Sequence, residues 1–475
     1  MPGEFLVNVQ GGGQVCVARD LSNMTTFVLL EQETWFEEEL GFVRACVAEG
    51  EAAVDVGANV GVFSIALAAS VGATGKLLAV EPAAATAAML RRTLKDGAMP
   101  QARVLQAALS DRAGRATLEI GDSPELSALT EAPADGRRTE AVELQRLDDA
   151  AAGLGSVTFV KIDAEGHEVS VARGGERLLR RDEPLVMFEV RQGAGFDYSL
   201  LDYLGSLGYR GYQLVPGLGV LAPFDRTAPV DPSLLNLFAC TPGRARALAR
   251  EGLLSGAVGG GVPGTDLAPE AREYLDGLPG ANRPALGNHA RALELFAALQ
   301  SATAEPGEEL ALLVDAHRLA ALAFAEKPSL PRGLTHVRLS ADLRLRTEAI
   351  ATLATLLRCV EQPARLDLDE PCLPPVPRFA ALDPGTDANH WLQSAVVESY
   401  LRLSSYSSAF QGGAAIPMLD YLRQRPYYCA EMERRRQLLR MIGGQQSGPE
   451  AHSLLTQAAP DNLNPWFWTG QWPER

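Results

Sequence analysis

Between residues 52 and 190, apolar runs of strand length keep giving way to segments long enough for a helix. The runs are Ala52–Val56, Lys76–Val80, Val104–Leu109, Val157–Ile162 and Leu185–Val190. A strand that is apolar along its whole length has both faces covered, and parallel strands need long crossovers between them. The alternation therefore predicts βαβ units around a mostly parallel, doubly wound sheet. The intervening segments show helical spacing, with Val60, Phe63, Ile65, Leu67 and Val71 in one and an alanine-rich stretch over Ala83–Lys95 in another. Ala116–Ile120 and Thr139–Leu147 alternate and read as a hairpin excursion with a polar connection. Tyr209–Val215 and Leu234–Cys240 have no helix between them and are expected to pair antiparallel at the sheet edge. The expectation is an α/β domain over residues 1–245, with a seven-stranded sheet and an antiparallel edge. Its lead-in reads as β-rich through Ser22–Leu30, then as an acidic helix over Glu31–Ala48.

Residues 246–268 read as a flexible linker, centred on the glycine-rich stretch from Ser255 to Gly264. Residues 269–475 read as an all-α accessory domain ending in an aromatic tail. Gly287–Leu299, Ala311–Ala325 and Leu343–Leu357 are helix candidates. One of them resembles part of a tetratricopeptide unit without a steady 34-residue period, so a solenoid and an irregular bundle both stay open. The proline-rich residues 361–390 read as an ordered connecting loop. Arg434, Arg435 and Arg436 read as a solvated helix face in preference to a phosphate or acidic-glycan contact. His289, His317, His336, His390 and His452 read as isolated core or surface residues. Trp466, Trp468 and Trp472 hold three of the five tryptophans and are read as docking on the protein itself.

The 475 residues carry 59 acidic and 43 basic groups, a formal net charge of −16, which argues against a broad nucleic-acid surface. Six scattered cysteines form no CxxC pair and are expected to be buried thiols. The segment MPGEFLVNVQ has no basic region ahead of an apolar run, and Ile65–Val71 is too short to span a bilayer. A cytoplasmic protein without a membrane span is expected.

The most informative loop is Asp55-Val-Gly57-Ala-Asn59-Val-Gly61, a buried strand turning into a helix. Counting from Gly57, the later glycine positions of a dinucleotide fingerprint hold Asn59 and Val62, so that reading fails and with it a nicotinamide-dependent dehydrogenase. No G-K-[ST] follows, so the loop is not a P-loop. What remains is the D-x-G-x-x-x-G turn that suits S-adenosylmethionine, with Asp55 facing an ammonium and Gly57 allowing close backbone approach. Glu81 ends the next strand and is placed to hold ribose hydroxyls. Further on, Lys161-Ile-Asp163-Ala-Glu165-Gly166-His167 puts ionisable groups at the carboxyl edge of a central strand, expected to alternate onto one side. Carboxylates so placed need a salt bridge or a polar ligand.

With Glu81-Pro82, Ala108-Leu-Ser110-Asp111, Glu168 and Phe188-Glu189, these motifs resemble the FkbM family of methyltransferases in order and spacing, over about residues 25–245. The sequence departs from the family's usual asparagines at Thr93–Asp96. The resemblance implies a class I fold and S-adenosylmethionine-dependent O-methylation of a hydroxyl on a sugar, glycan or natural product. It implies cofactor contacts from Asp55, Gly57, Asn59, Gly61, Glu81 and Asp163, with Ser110 and Asp111 near the adenine. Asp163, Glu165 and His167 would border the methyl group, with Lys161 beside them. Asp163 or Glu165 is the expected base and His167 the next choice. No dedicated metal site is expected, although these carboxylates with Glu189 are the set that would hold Mg²⁺. The remaining alternatives are a cofactor-binding scaffold without catalysis, and a helical half that recognises the acceptor, a protein partner or a second copy.

Overall fold

The computed structural model describes residues 3–11, 13–121, 127–130, 136–193, 195–255, 267–300, 308–362, 366–385 and 388–445. Residues 256–266 of the expected linker, the aromatic tail with Trp466, Trp468 and Trp472, and His452 lie outside the described residues.

The strands in chain order are β1 (Glu4–Asn8), β2 (Gln14–Ala18), β3 (Ala52–Val56), β4 (Lys76–Val80), β5 (Ala102–Leu105), β6 (Ala108–Leu109), β7 (Gly114–Ile120), β8 (Ala128–Thr130), β9 (Arg138–Gln145), β10 (Val157–Ile162), β11 (Leu185–Glu189), β12 (Arg210–Val215), β13 (Val220–Pro223) and β14 (Asn236–Cys240). The main sheet runs β13-β12-β14-β11-β10-β3-β4-β5. It therefore has eight strands where the sequence predicts seven. The extra one, β13, closes a hairpin with β12 and is only four residues long, too short to register as an apolar run. From β11 to β5 the pairing is parallel, whereas β14 lies antiparallel between β11 and β12. The hairpin excursion is larger than expected: β7 and β9 pair antiparallel, and β6 and β8 extend them into a four-stranded sheet.

The chain leaves β3 toward β4 and β5, then returns to lay β10 and β11 on the other side. That reversal is the topological switch point, where the carboxyl ends of adjacent strands splay and leave a crevice. Asp55 of β3 and Lys161 of β10 are register partners there.

In the lead-in, Met24–Gln32 is an α-helix instead of the expected β segment. Asn23 caps it, its Oδ1 accepting the Thr26 N–H at 3.0 Å, so a local cap outweighs the strand preference of Thr25, Thr26 and Val28. The helix stops at Glu33 with φ of 61° and resumes only at Glu39–Cys46, so the single acidic helix predicted for Glu31–Ala48 is broken. The break carries Trp35, Phe36 and Glu37.

Beyond residue 267 the described regular elements are helices, each packed mainly on its chain neighbours. They do not form a separate body. One apolar core runs from Val15, Phe27 and Leu67 through Leu353 and Trp391 to Leu439, so the boundary expected at 246–268 is no break in packing. Arg434, Arg435 and Arg436 are buried, contrary to the solvated face expected of them. Arg434 pairs with Glu33 at 3.0 Å, Arg435 reaches Glu31 at 3.7 Å, and Arg436 binds Asp420 and Glu433. Glu31 and Glu33 lie too far away in sequence for the arginine run to announce them. Within the expected connecting loop, Pro377–Ala381 forms a 3₁₀ turn over buried Phe379.

Candidate functional site

Three tight backbone bonds build the crevice floor. Gly57 and Ala58 donate N–H groups to the Val80 carbonyl at 3.0 and 2.9 Å, and Asp163 donates to Val56 at 3.1 Å. Strands β3, β4 and β10 are thus tied together at their carboxyl ends. Gly57 has φ of 76°, and a Cβ there would sit 1.7 Å from the Asp163 carbonyl oxygen, so only glycine fits. Asn59 is also left-handed, with φ of 49°, and Gly61 opens the helix Val62–Val71 at φ of 100°. Where the family resemblance breaks down, Thr93 supplies its own anchor. Its Oγ donates to the Val60 carbonyl at 2.8 Å and accepts the Cys16 N–H at 2.9 Å.

Above this floor lies a cavity of about 380 Å³ lined by Asp55, Gly57, Asn59, Glu81, Lys161, Asp163, Glu165 and His167, all anticipated from sequence. Trp35, Phe36, Glu37, Glu189 and Asn236 complete its acidic and aromatic side, and Ala107, Ala108, Leu109, Leu118 and Leu129 its apolar side. Gly61, Ser110 and Asp111 are not among the lining residues. Gly61 acts through the helix start, while the Ser110 carbonyl is pressed against Gly174. The neighbouring stretch Ala107–Leu109 takes the wall position expected of Ser110 and Asp111.

The polar groups are unevenly satisfied. Asp55 is fully buried; its Oδ2 accepts the Ser64 hydroxyl at 2.6 Å, but its Oδ1 has no partner. Asn59 Oδ1 and Glu189 Oε2 are likewise buried without one. Burial pushes the Asp55 carboxyl above its usual range, against the attraction of Lys161. Glu81 accepts the Asn59 and Ala83 N–H groups at 3.1 and 2.9 Å, yet burial still pushes it up to about 7. Glu37 also rises to about 7 through burial and the charge of Glu39, while bonded to Trp35 and Asn236 at 2.7 Å each.

Lys161 is the cation at the centre. Its Nζ lies 2.7 Å from Asp163 Oδ2 and 5.1 Å from the centroid of the Phe63 ring. Burial works against the ammonium, but Asp163, Asp55 and Glu37 together hold it above its ordinary range. The strand ends at Ile162, so Asp163 and Glu165 do not alternate along it as expected. Glu165 instead sits in a turn at φ of 46°, brought beside Glu189. Burial and the charges of Asp163 and Glu168 push Glu165 up to about 7, and burial with Asp163 and Glu165 pushes Glu189 up to about 8. One oxygen from each of Asp163, Glu165 and Glu189 falls within 4.8 Å of the others, which makes them a cluster able to hold a cation. His167 lines the cavity at the start of the helix Glu168–Gly174 without capping it; Glu168 accepts the Gly166 N–H at 2.8 Å instead.

Glu37 and Asn236 escaped the sequence reading. Glu37 was hidden because its acidic run looked like continuous helix, although the Trp35-Phe36 pair inside that run was a usable sign of a break. Among the described residues no lining residue comes from beyond Asn236, but Phe36 packs on Tyr406 of the helical half, ring centroids 5.0 Å apart.

Residues 55–213 match the family model described as the methyltransferase FkbM domain. No curated protein matches the chain. Among solved structures it is similar to methyltransferase FkbM from Methylobacillus flagellatus KT, at 18% identity and a TM-score of 0.28, over 40% of this chain and 43% of that one. The chain thus spans less than half the length of that relative. It is similar to an S-adenosylmethionine-dependent O-methyltransferase from Thermotoga maritima at 15% identity and a TM-score of 0.26, over 50% and 78% of the two chains. A third similar structure, an M. jannaschii protein in complex with S-adenosylmethionine, shares 13% identity at a TM-score of 0.29, over 50% and 84%.

Proposed function

Because residues 55–213 carry a methyltransferase FkbM domain, we propose that the protein moves a methyl group from S-adenosylmethionine to a hydroxyl of an uncharged acceptor such as a sugar, glycan or other natural product. The observation that carries the reading is the under-partnered polar cradle at the switch point of a fold region matching a methyltransferase family. Asp55 Oδ1 and Asn59 Oδ1 are buried acceptors waiting for donors, which is what an ammonium and hydroxyl-bearing ligand brings. Asp55 and Asn59 would hold the amino-acid end, the Gly57 backbone would lie close against it, and Glu81 would use its remaining lone pairs on ribose hydroxyls. The cofactor supplies an electrophilic sulfonium methyl group.

The protein's own work is to align the acceptor oxygen and remove its proton. Glu165 is the base best suited to that work. A carboxyl raised to about 7 is partly ionised near neutral pH and still basic enough to take a hydroxyl proton. Glu165 would take the acceptor hydroxyl's proton as the methyl carbon exchanges its bond to the cofactor sulfur for one to the acceptor oxygen, leaving the neutral thioether. Lys161 and Asp163 act as a fixed ion pair that holds the turn bearing Glu165, with His167 as the second base choice. The surplus of carboxylates over the single lysine repels phosphorylated or carboxylated acceptors and favours neutral ones.

The test is turnover of labelled cofactor by the full chain against sugars, glycolipids, peptides and small metabolites. Glu165→Gln and Asp163→Asn should abolish turnover while calorimetry still registers S-adenosylhomocysteine. Full activity in both variants sinks the base assignment, and absence of any thermal shift with S-adenosylhomocysteine sinks the cofactor assignment. A second reading, Mg²⁺-assisted transfer, draws on the convergence of Asp163, Glu165 and Glu189 and on the unpartnered Glu189 oxygen. It requires activity to disappear with a chelator and return with Mg²⁺.

A further inference from the structure

Far along the chain from the methyltransferase site, three consecutive helices bring together two histidines and a glutamate. His317 belongs to Glu308–Glu326, His336 to Leu330–Asp342 and Glu348 to Arg346–Val360. The imidazoles stack with centroids 5.2 Å apart and planes 28° apart, so both present Nε2 to the same carboxylate. His336 Nε2 lies 3.0 Å from Glu348 Oε1, and His317 Nε2 lies 3.5 Å from Glu348 Oε2. Ligand atoms held at about 2.0–2.1 Å by one tetrahedral zinc ion stand roughly 3.3 Å from each other, and these separations bracket that value.

We infer that His317, His336 and Glu348 form a Zn²⁺ site that staples the three helices of the C-terminal half. Two imidazoles and one carboxylate favour zinc over Mg²⁺ or Ca²⁺, which prefer all-oxygen shells. The surroundings set the ring tautomers. His336 Nδ1 lies 3.1 Å from Thr352 Oγ, which can accept an Nδ1–H and so leave the Nε2 lone pair facing inward. Ser340 donates its single hydroxyl proton to the His336 carbonyl at 2.8 Å. Toward His317 Nε2, 3.2 Å away, it can only accept. In the metal-free state His317 therefore carries its proton on Nε2. Metal binding moves that proton to Nδ1, and neither imidazole changes charge. His336 is buried, whereas the Glu348 side chain is 43% exposed, giving an ion a route in and leaving the fourth position to water.

The full chain, stripped with a chelator, is titrated with Zn²⁺ by calorimetry, and with Co²⁺ as a spectroscopic probe of tetrahedral nitrogen–oxygen ligation. One equivalent should bind, raise the melting temperature and give the tetrahedral Co²⁺ spectrum. His317→Gln and Glu348→Gln, both at partly exposed positions, should each weaken binding at least about 100-fold, and Thr352→Val about 10- to 100-fold. Absence of stoichiometric binding overturns the site. So does unchanged affinity in His317→Gln and Glu348→Gln, or loss of the ion in Glu189→Gln, which would place it at the other carboxylate cluster.

Discussion

Both halves of the molecule bury charge, but they treat it in opposite ways. In the helical half each deeply buried acid meets an arginine. Arg332 grips Glu370 through two parallel bonds of 2.7 and 2.8 Å, Arg402 binds Glu398 at 3.0 Å, and Arg378 binds Glu398 as well. In the half that holds the candidate site, Asp55, Glu37, Glu81, Glu165 and Glu189 crowd around Lys161, and Asp55 Oδ1 and Glu189 Oε2 have no partner. Buried charge that is paired serves cohesion, whereas buried charge left short of partners marks where a ligand completes the set. The acidic titrations diverge accordingly. The Arg332 hydrogen bonds pull Glu370 below its usual range, while burial drives the site carboxyls up to about 7 and about 8.

The largest expected effect tests the proposed base. Glu165→Gln should slow methyl transfer by about 10²- to 10⁴-fold in single-turnover assays, with cofactor affinity little changed. Next, Glu370→Gln should lower stability by about 3–5 kcal/mol in urea unfolding, because it strands a buried guanidinium. Replacing both partners, Arg332→Met with Glu370→Leu, should recover most of that loss; failure to recover would show that the pair does more than neutralise itself. Gly57→Ala should cost at least about 1–3 kcal/mol and most of the cofactor affinity, read by calorimetry, since its methyl collides with the Asp163 carbonyl.

Acidity sharpens the contrast further. A carboxyl raised in the folded state stabilises it fully below its unfolded value and loses that contribution as pH climbs through the raised one. Glu81, Glu165 and Glu189 should therefore lower the melting temperature between a pH of about 5 and about 8 in the ligand-free protein, while kcat/KM rises as Glu165 ionises. Glu189→Gln should flatten the stability decline. Glu370 acts in reverse, its contribution lost only as pH falls below the ordinary carboxylate range. The smallest effect is expected at the exposed Arg226–Asp202 pair, where Arg226→Ala should shift stability by less than about 1 kcal/mol.

Local rules made the floor of the site readable from sequence. Asp55, Gly57 and Glu81 follow from one strand, one turn and the end of the next strand, all within thirty residues. Lys161, Asp163 and Glu165 were visible as ionisable groups at the end of an apolar strand, although the turn that redirects Glu165 was not. What sequence concealed depends on distance. Glu37 enters the cavity because the chain breaks at Glu33, a break stabilised when Arg434 pairs with Glu33 across the molecule. Nothing near either residue signals the other. Strand β13 was missed for a different reason, being short and ended by Pro223.

The shared core changes what inheritance can do with this chain. Glu31 accepts the Ser407 hydroxyl at 2.6 Å and the Ser408 N–H at 2.9 Å, and Arg344 meets Glu39 at 2.7 Å. A gene fragment ending near residue 250 would encode a protein with those acids stripped of partners and an apolar wall laid bare. The half that holds the candidate site shares its apolar core with the helices beyond it. Such a fragment is expected to aggregate through the exposed apolar wall.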